Sequence, residues 1–123
     1  MPPRQRFSGI RNAWSGFRHF IATEHSSKPH AIVSLAVIAA SIALKLKLEE
    51  WRWVILALAL VWSAEALNTA IERLSDAVSV EWNERLRFAK DTAAWGVFVA
   101  ILACALIILT VFVPRVLPLV DQL

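Results

Sequence analysis

The sequence has few of the residues on which several common protein classes depend. Its 123 residues include one cysteine, Cys104, so no disulfide can form within the chain and no set of thiolate metal ligands is available. There are only three glycines, Gly9, Gly16 and Gly96, and their spacing matches neither a P-loop nor the glycine-rich loop of protein kinases. Any use of nucleotide phosphates must therefore depend on other residues.

Charge is also scarce, because charged residues make up 19% of the chain and hydrophobic residues 58%. The mean hydropathy is +0.56, which favours a small helical membrane protein over a soluble domain. The first twenty residues carry several arginines and no continuous apolar core, so we expect no cleavable signal peptide. The length predicts one domain, residues 1–123.

Apolar runs predict an all-α membrane protein with three transmembrane helices. The proposed spans are residues 30–48, 53–74 and 92–113, with Pro114 ending the third. Residues 6–26 are instead amphipathic and predict an N-terminal surface helix lying in the membrane interface. Its apolar stripe consists of Phe7, Ile10, Trp14, Phe17 and Ile21. Pro29 is expected to break the chain between this helix and the first span.

Basic residues predict the orientation of the chain. They are concentrated before the first span and between the second and third spans, and by the positive-inside rule both segments are cytoplasmic. These residues are Arg4, Arg6, Arg11, Arg18, Lys28, Arg73, Arg85, Arg87 and Lys90. The expected location is a bacterial cytoplasmic (inner) membrane, with the N-terminus and the functional site on the cytoplasmic side.

The second span ends in four polar residues that we call the polar ladder: Glu65, Asn68, Glu72 and Asp76. At about 100° per residue they fall on one side of a helix. Charge near the bilayer centre costs roughly 2.5 to 3.5 kcal/mol per residue, so such a set indicates a functional site. Measured from Trp53, Glu65 lies roughly 18 Å and Glu72 roughly 28 Å into the membrane.

These depths suit phosphoryl transfer between a soluble donor and a lipid. Glu72, Asp76 and Glu24, at the end of the surface helix, can face phosphates through a divalent cation, and Glu65 can face a lipid hydroxyl. Lys90 and Asp91 open the third span, where Lys90 suits donor phosphates and Asp91 can accept a hydrogen bond or brace Lys90.

Two other interpretations explain the same residues. A buried Glu65 can bind cations or protons in a small multidrug-type transporter, although the apolar residues 54–62 give no path to the other side. Alternatively the polar ladder can join helices, although three acids without matched cations would repel one another. Only Arg73 is near in sequence, and it points away by about 80°.

The run from Glu65 to Glu72, then Asp76 and the segment Ala89-Lys90-Asp91, resembles the bacterial integral-membrane diacylglycerol kinase and undecaprenol kinase family. The resemblance extends over nearly the whole chain. It implies an ATP- and Mg²⁺-dependent lipid kinase that forms a homotrimer with shared active sites, in the lipid bilayer and with no nucleic-acid partner. It implies Glu65 as catalytic base, Glu24 and Glu72 as metal ligands, and an ATP site of Glu24, Asn68, Glu72, Asp76, Lys90 and Asp91.

The acceptor lipid is either undecaprenol or diacylglycerol. His30, in a position where the undecaprenol branch of the family tends to carry a histidine, favours the polyprenol, and so does the segment 89–94. The loop residues Glu81, Trp82 and Asn83 match a nucleotide-facing segment of the family only loosely.

Overall fold

All regular structure in the described part of the chain is helical. The computed structural model describes residues 6–23 and 27–121, with side chains from residue 9 onward. The helices are α1 (Arg6–Thr23), α2 (Ser27–Ala43), α3 (Leu48–Val78) and α4 (Glu84–Val120). No strand occurs within these ranges, which confirms the prediction of an all-α protein.

Two helices are long and apolar enough to cross a membrane, namely α3 with 31 residues and α4 with 37. The 17 residues of α2 are too few to qualify alone, and the count reaches three spans only when α2 is taken together with α1. The first span was already the shortest of the three predicted. The chain is thus a multi-pass membrane protein, as its composition predicted.

The described residues up to Val33 form a first compact unit that contains α1 and the beginning of α2. The predicted apolar stripe of α1 is exposed at Ile10, Trp14 and Phe17, and the rings of Trp14 and Phe17 lie 5.5 Å apart. Such a stripe suits an interfacial helix, which stays a prediction. Pro29 does not precede α2 but lies in its first turn, where a missing N–H leaves no helical hydrogen bond unmade.

The described residues from Ser34 onward form the second unit, and α2 and α3 are joined in it by a short turn. The predicted span 30–48 is longer than α2, because the chain reverses after Ala43. Lys45 has a positive φ of 50°, and the N–H groups of Lys45 and Leu46 donate to the carbonyls of Ile42 and Ser41, at 3.0 and 3.2 Å. This is the Schellman pattern, with Leu46 buried behind it.

Helices α3 and α4 pack antiparallel. Their two ends are marked by ion pairs, Glu50 with Arg115 at the end near the α2–α3 turn and Asp76 with Lys90 at the opposite end. A small apolar core of Leu46, Val54 and Val111 lies at the first of these ends. Below we call the two ends of the pair the α2–α3 end and the α3–α4 end.

Helix α4 is longer than the predicted span 92–113 at both ends. It begins after Asn83, whose side chain accepts hydrogen bonds from the N–H groups of Arg85 and Leu86, at 2.9 and 3.3 Å. The prediction that Pro114 ends the helix is wrong, because α4 continues through Pro114 and Pro118 to Val120. Proline is tolerated in apolar helices where tertiary contacts hold the chain, and Arg115 supplies such a contact.

Candidate active site

Glu65 is buried on the side of α3 that also buries apolar residues. It is 7% exposed and follows Val54, Ala57 and Val61 on the buried stripe of the helix, with Thr69 one turn further on. A carboxylate in this position is costly unless another group compensates it. That Glu65 belongs to a functional site, and that it is the catalytic base, both stay predictions.

Asn68 and Glu72 are in direct contact on the next turn of the polar ladder. The amide Nδ2 of Asn68 donates to Glu72 Oε1 at 3.1 Å, which fixes the orientation of that carboxylate. The other amide atom, Oδ1 of Asn68, is buried and has no hydrogen-bond partner within the described part of the chain. Since a buried acceptor left without a donor or cation costs free energy, this oxygen indicates a place for an external ligand.

The last residue of the polar ladder makes an interhelical ion pair. Lys90 Nζ of α4 lies 2.5 Å from Asp76 Oδ1 of α3. The sequence argument that the acids have no matched cation is thus wrong at Asp76, because antiparallel packing brings α4 beside it. Asp91 does not brace Lys90; it lies 3.5 Å from Arg87 Nε, one turn back on α4.

An open recess of about 390 Å³ lies at the α3–α4 end. It brings together three predicted nucleotide-binding residues, Asp76, Lys90 and Asp91. Its other lining residues come mainly from the loop between the two helices: Ser75, Ser79, Val80, Glu81, Trp82, Asn83, Leu86 and Arg87. Segment 81–83, which resembles the family only loosely, therefore lies beside these three residues.

The loop that lines the recess is held by its own hydrogen bonds. Ser79 Oγ accepts from the N–H of Glu81 at 3.1 Å, and Asn83 caps α4. The cap places the positive end of the α4 dipole close to Lys90 and Arg87. The recess thus combines this helix end with two basic residues, Arg87 and Lys90, and three acidic ones, Asp76, Glu81 and Asp91.

A second, mostly apolar groove of about 590 Å³ adjoins the recess, and Ser75 and Leu86 line both. The other residues of this apolar groove include Ile71, Leu74 and Phe88. Polar and apolar surfaces therefore meet at Ser75, which is itself 4% exposed.

The predicted metal pair is not brought together in the described chain. Glu24 lies outside the described residues, so its position relative to Glu72 stays a prediction. Within residues 6–23 and 27–121 no three histidine, cysteine or acidic side chains form a metal-binding group. The oxygen atoms of Glu72 and Asn68 nevertheless suit a hard cation such as Mg²⁺, which prefers oxygen ligands and keeps several waters.

Some residues of the site were not singled out from the sequence. Arg87 pairs with Asp91, and the four-residue spacing of a basic and an acidic residue on one helix is a signal that was available. The buried hydroxyls of Thr69 and Ser75 give no such signal, because small hydroxyl residues are common in apolar helices.

Comparison with known proteins identifies the class. Residues 11–112 match the family described as prokaryotic diacylglycerol kinase, and the chain belongs to this family of membrane lipid kinases. The undecaprenol kinase of Bacillus subtilis is 30% identical over 109 residues, which cover 89% of each chain. The diacylglycerol kinase of Synechocystis sp. is 33% identical over 99 residues, which cover 80% of this chain and 57% of that protein. The family confirms the resemblance and selects a lipid kinase over a transporter.

Proposed function

We propose that this lipid kinase transfers the γ-phosphate of ATP to a membrane lipid alcohol, with Mg²⁺ as cofactor, and that undecaprenol is preferred to diacylglycerol. The products are ADP and undecaprenyl phosphate; with diacylglycerol the lipid product is phosphatidic acid. The observation that carries the proposal is the alignment of three groups along α3. Glu65 is buried, Asn68 and Glu72 are in contact, and Asp76 joins Lys90 in the recess.

The order of these groups along α3 allows ATP to bind at one end and the lipid hydroxyl to bind deeper in the membrane. The recess at the α3–α4 end has Lys90 and Arg87 for the phosphates of ATP, while Glu65 lies about three turns of α3 deeper than Asp76, where a lipid hydroxyl can lie. In the transfer, a bond forms between the hydroxyl oxygen and the γ-phosphorus. The bond from that phosphorus to the bridging oxygen of the β-phosphate breaks, and Glu65 accepts the hydroxyl proton.

Glu72 and Asn68 would hold the cation beside the phosphates. The hydrogen bond from Asn68 keeps one oxygen of Glu72 in place, and the unpaired Asn68 Oδ1 offers a further acceptor for a ligand or its water. When bound, Mg²⁺ neutralises charge on the phosphates. Glu24 is proposed as the second carboxylate.

The proposal includes a setting in the membrane. We place the α3–α4 end at the cytoplasmic face of a bacterial inner membrane, because ATP is available there and the helix ends at this side carry Arg73, Arg85, Arg87 and Lys90. We also propose a homotrimer with shared active sites. The physical support is that three spans are too few to hide the polar ladder from lipid within one chain.

The undecaprenol preference has two supports. The Bacillus subtilis relative named for that activity matches 89% of its own length, whereas the chain spans only 57% of the relative named diacylglycerol kinase. His30 and the segment 89–94 also favour the polyprenol branch, as argued from the sequence.

The test is phosphate transfer from γ-labelled ATP by purified protein in mixed micelles, with undecaprenol and diacylglycerol supplied separately. Glu65→Gln keeps the shape of the side chain but removes the base, so turnover should fall by about 10²-fold or more while ATP binding is retained. Asp121→Asn, an exposed acid at the other end of the α3–α4 pair, is the matched control and should retain turnover. Retained turnover in Glu65→Gln, or lost ATP affinity alone, would refute the assigned role.

A further inference from the structure

The first turns of α3 carry an open groove of about 340 Å³, which shares no lining residue with the recess or the apolar groove. Its lining residues are Glu49, Arg52, Trp53 and Leu56, and all four are exposed. They lie three, four and seven residues from Glu49, so they share one side of the helix within an arc of about 100°. We call this surface the α3 groove.

The two charges of the α3 groove are not used within the described part of the chain. The side chains of Glu49 and Arg52 make no hydrogen bond or ion pair there, either with each other or with another residue. The adjacent Glu50 differs, because both its oxygens accept from Arg115. The α3 groove therefore offers a free carboxylate and a free guanidinium group beside each other.

The order of these residues along α3 matches the order of groups in a phospholipid. Helix α3 is long and apolar enough to cross a membrane, and charged residues followed by Trp53 are typical of a membrane interface. Glu49 precedes Arg52 by about 4.5 Å along the axis, and Leu56 follows Arg52 by about 6 Å toward the hydrocarbon. Trp53 and Leu56 are 55% and 56% exposed, so they present apolar surface at that depth.

We infer that the α3 groove binds a zwitterionic phospholipid, whose headgroup carries an ammonium group two carbons beyond its phosphate. Arg52 binds the phosphate, Glu49 binds the ammonium group, and the acyl chains lie against Trp53 and Leu56. A headgroup with a net negative charge satisfies Arg52 but is repelled by the carboxylate of Glu49. The groove therefore selects zwitterionic over anionic phospholipid. This inference requires that α3 crosses a bilayer, and it does not rest on the proposed kinase activity.

The test measures which lipid lies beside Trp53. The protein is placed in vesicles of equal parts phosphatidylethanolamine and phosphatidylglycerol with the same acyl chains. One of the two lipids carries bromine on its chains, which quenches tryptophan emission at short range. The Trp53 signal is the difference between the wild-type protein and Trp53→Phe. We expect phosphatidylethanolamine to be enriched beside Trp53 by about threefold to tenfold, the range that exposed charge pairs support.

Glu49→Gln should shift this ratio toward phosphatidylglycerol, because it removes the repelling charge and leaves Arg52 in place. Asp121→Asn is the matched control, since it removes an exposed acid at the same end of the molecule but outside the α3 groove. This control should keep the wild-type ratio. Both Glu49 and Asp121 are exposed, so neither substitution disturbs the packing of the helices.

The role of Arg52 is tested in a second set of vesicles, made mostly of a glycolipid that has no phosphate. A small fraction of either brominated phospholipid should quench Trp53 less in Arg52→Gln than in the wild-type protein. Lys45→Gln, an exposed basic residue at the same end but outside the groove, should quench like the wild-type protein. Equal quenching in Arg52→Gln and the wild-type protein would overturn the assigned phosphate contact.

The remaining outcomes separate this inference from the proposed function. A wild-type ratio near one, an unchanged ratio in Glu49→Gln, or an equal shift in Asp121→Asn overturns the inference and leaves the kinase proposal intact. If neither brominated lipid quenches Trp53, another copy of the chain covers the groove, which also overturns the inference. A protein that phosphorylates neither lipid alcohol overturns the kinase proposal and leaves this inference intact.

Discussion

Asn68 and Lys90 contact acidic partners on the polar ladder, and the two contacts differ in what they leave available. Asn68 donates its amide N–H to Glu72, and its buried Oδ1 has no partner among the residues that the structure describes. Lys90 is half-buried and its partner Asp76 is exposed. The ammonium group of Lys90 can therefore also reach a ligand in the recess. The first contact therefore suits a cation site and the second a phosphate site.

Asn68→Ala should raise the Mg²⁺ concentration needed for half-maximal turnover by about tenfold or more. The variant removes the hydrogen bond that orients Glu72, and losses of this size are typical when a metal ligand loses its supporting partner. The measurement is a Mg²⁺ titration of lipid phosphorylation at fixed ATP, with Asp121→Asn as the control. An unchanged titration curve in Asn68→Ala would remove Asn68 from the proposed cation site.

Lys90→Met should raise the KM for ATP by about tenfold or more while leaving the KM for the lipid unchanged. The substitution keeps the apolar stem but removes the cation that pairs with Asp76 and faces the recess. Initial rates measured over ATP and lipid concentrations separate the two constants. Lys47→Met, an exposed lysine at the α2–α3 end, serves as the control. A rise confined to the lipid KM would contradict the assignment of the recess to ATP.

At the residue scale, helical spacing predicted which residues share one side of α3 better than it predicted which side chains they contact. Helical spacing placed Asn68 and Glu72 on one side of α3, where they do meet. The pairing of Asp76 with Lys90 depends on the register of two antiparallel helices, which spacing within one helix does not define. For the same reason the hydrogen bond from Trp62 to Ser34, 28 residues away, could not be predicted from spacing.

At the scale of helices, the sequence predicted where α3 and α4 occur, but it did not predict where they begin and end. Apolar runs located α3 and α4, but both helices extend beyond their hydrophobic segments. The flanking polar residues, such as Glu and Arg, also have high helix propensity. Asn83 is a recognisable N-cap, so the start of α4 was within reach of sequence reasoning. Its continuation through Pro114 was not, since that depends on the contact between Arg115 and α3.

The turn after α2 provides a test of backbone strain. Lys45 adopts a left-handed conformation, which costs a side-chain-bearing residue roughly 1 to 2 kcal/mol and glycine much less. Lys45→Gly should therefore raise the free energy of unfolding by about 0.5 to 1 kcal/mol, after the greater freedom of glycine in the unfolded chain is counted.

The measurement for Lys45→Gly is unfolding by SDS in mixed micelles, followed by circular dichroism. Lys45→Ala is the control, because it removes the same charge but keeps the Cβ atom that causes the strain. We expect no gain in Lys45→Ala. Equal stabilisation by both variants would assign the effect to charge and not to the backbone.

At the scale of the whole molecule, Glu50 connects the beginning of α3 with the C-terminal part of α4. One oxygen of its carboxylate accepts the N–H of Lys47 at 2.6 Å, which caps the first turn of α3. Both oxygens accept from Arg115, at 3.0 Å from Nε and 2.6 Å from Nη2. Because Arg115 directly follows Pro114, this contact holds the part of α4 where the proline has removed a helical hydrogen bond.

A double-mutant cycle of Glu50→Gln and Arg115→Met should therefore give a clear favourable coupling free energy of unfolding. The pair is bidentate and only about a quarter exposed, at 27% for Arg115 and 26% for Glu50, so solvent screens it less than a surface pair. The matched comparison is Arg87 with Asp91, which is 66% and 63% exposed and 3.5 Å apart. We expect its coupling to be close to zero. A coupling close to zero for Glu50 and Arg115 as well would mean that the α2–α3 end is held by its apolar core alone, with Leu46, Val54 and Val111 fixing the end of α4 without the ion pair.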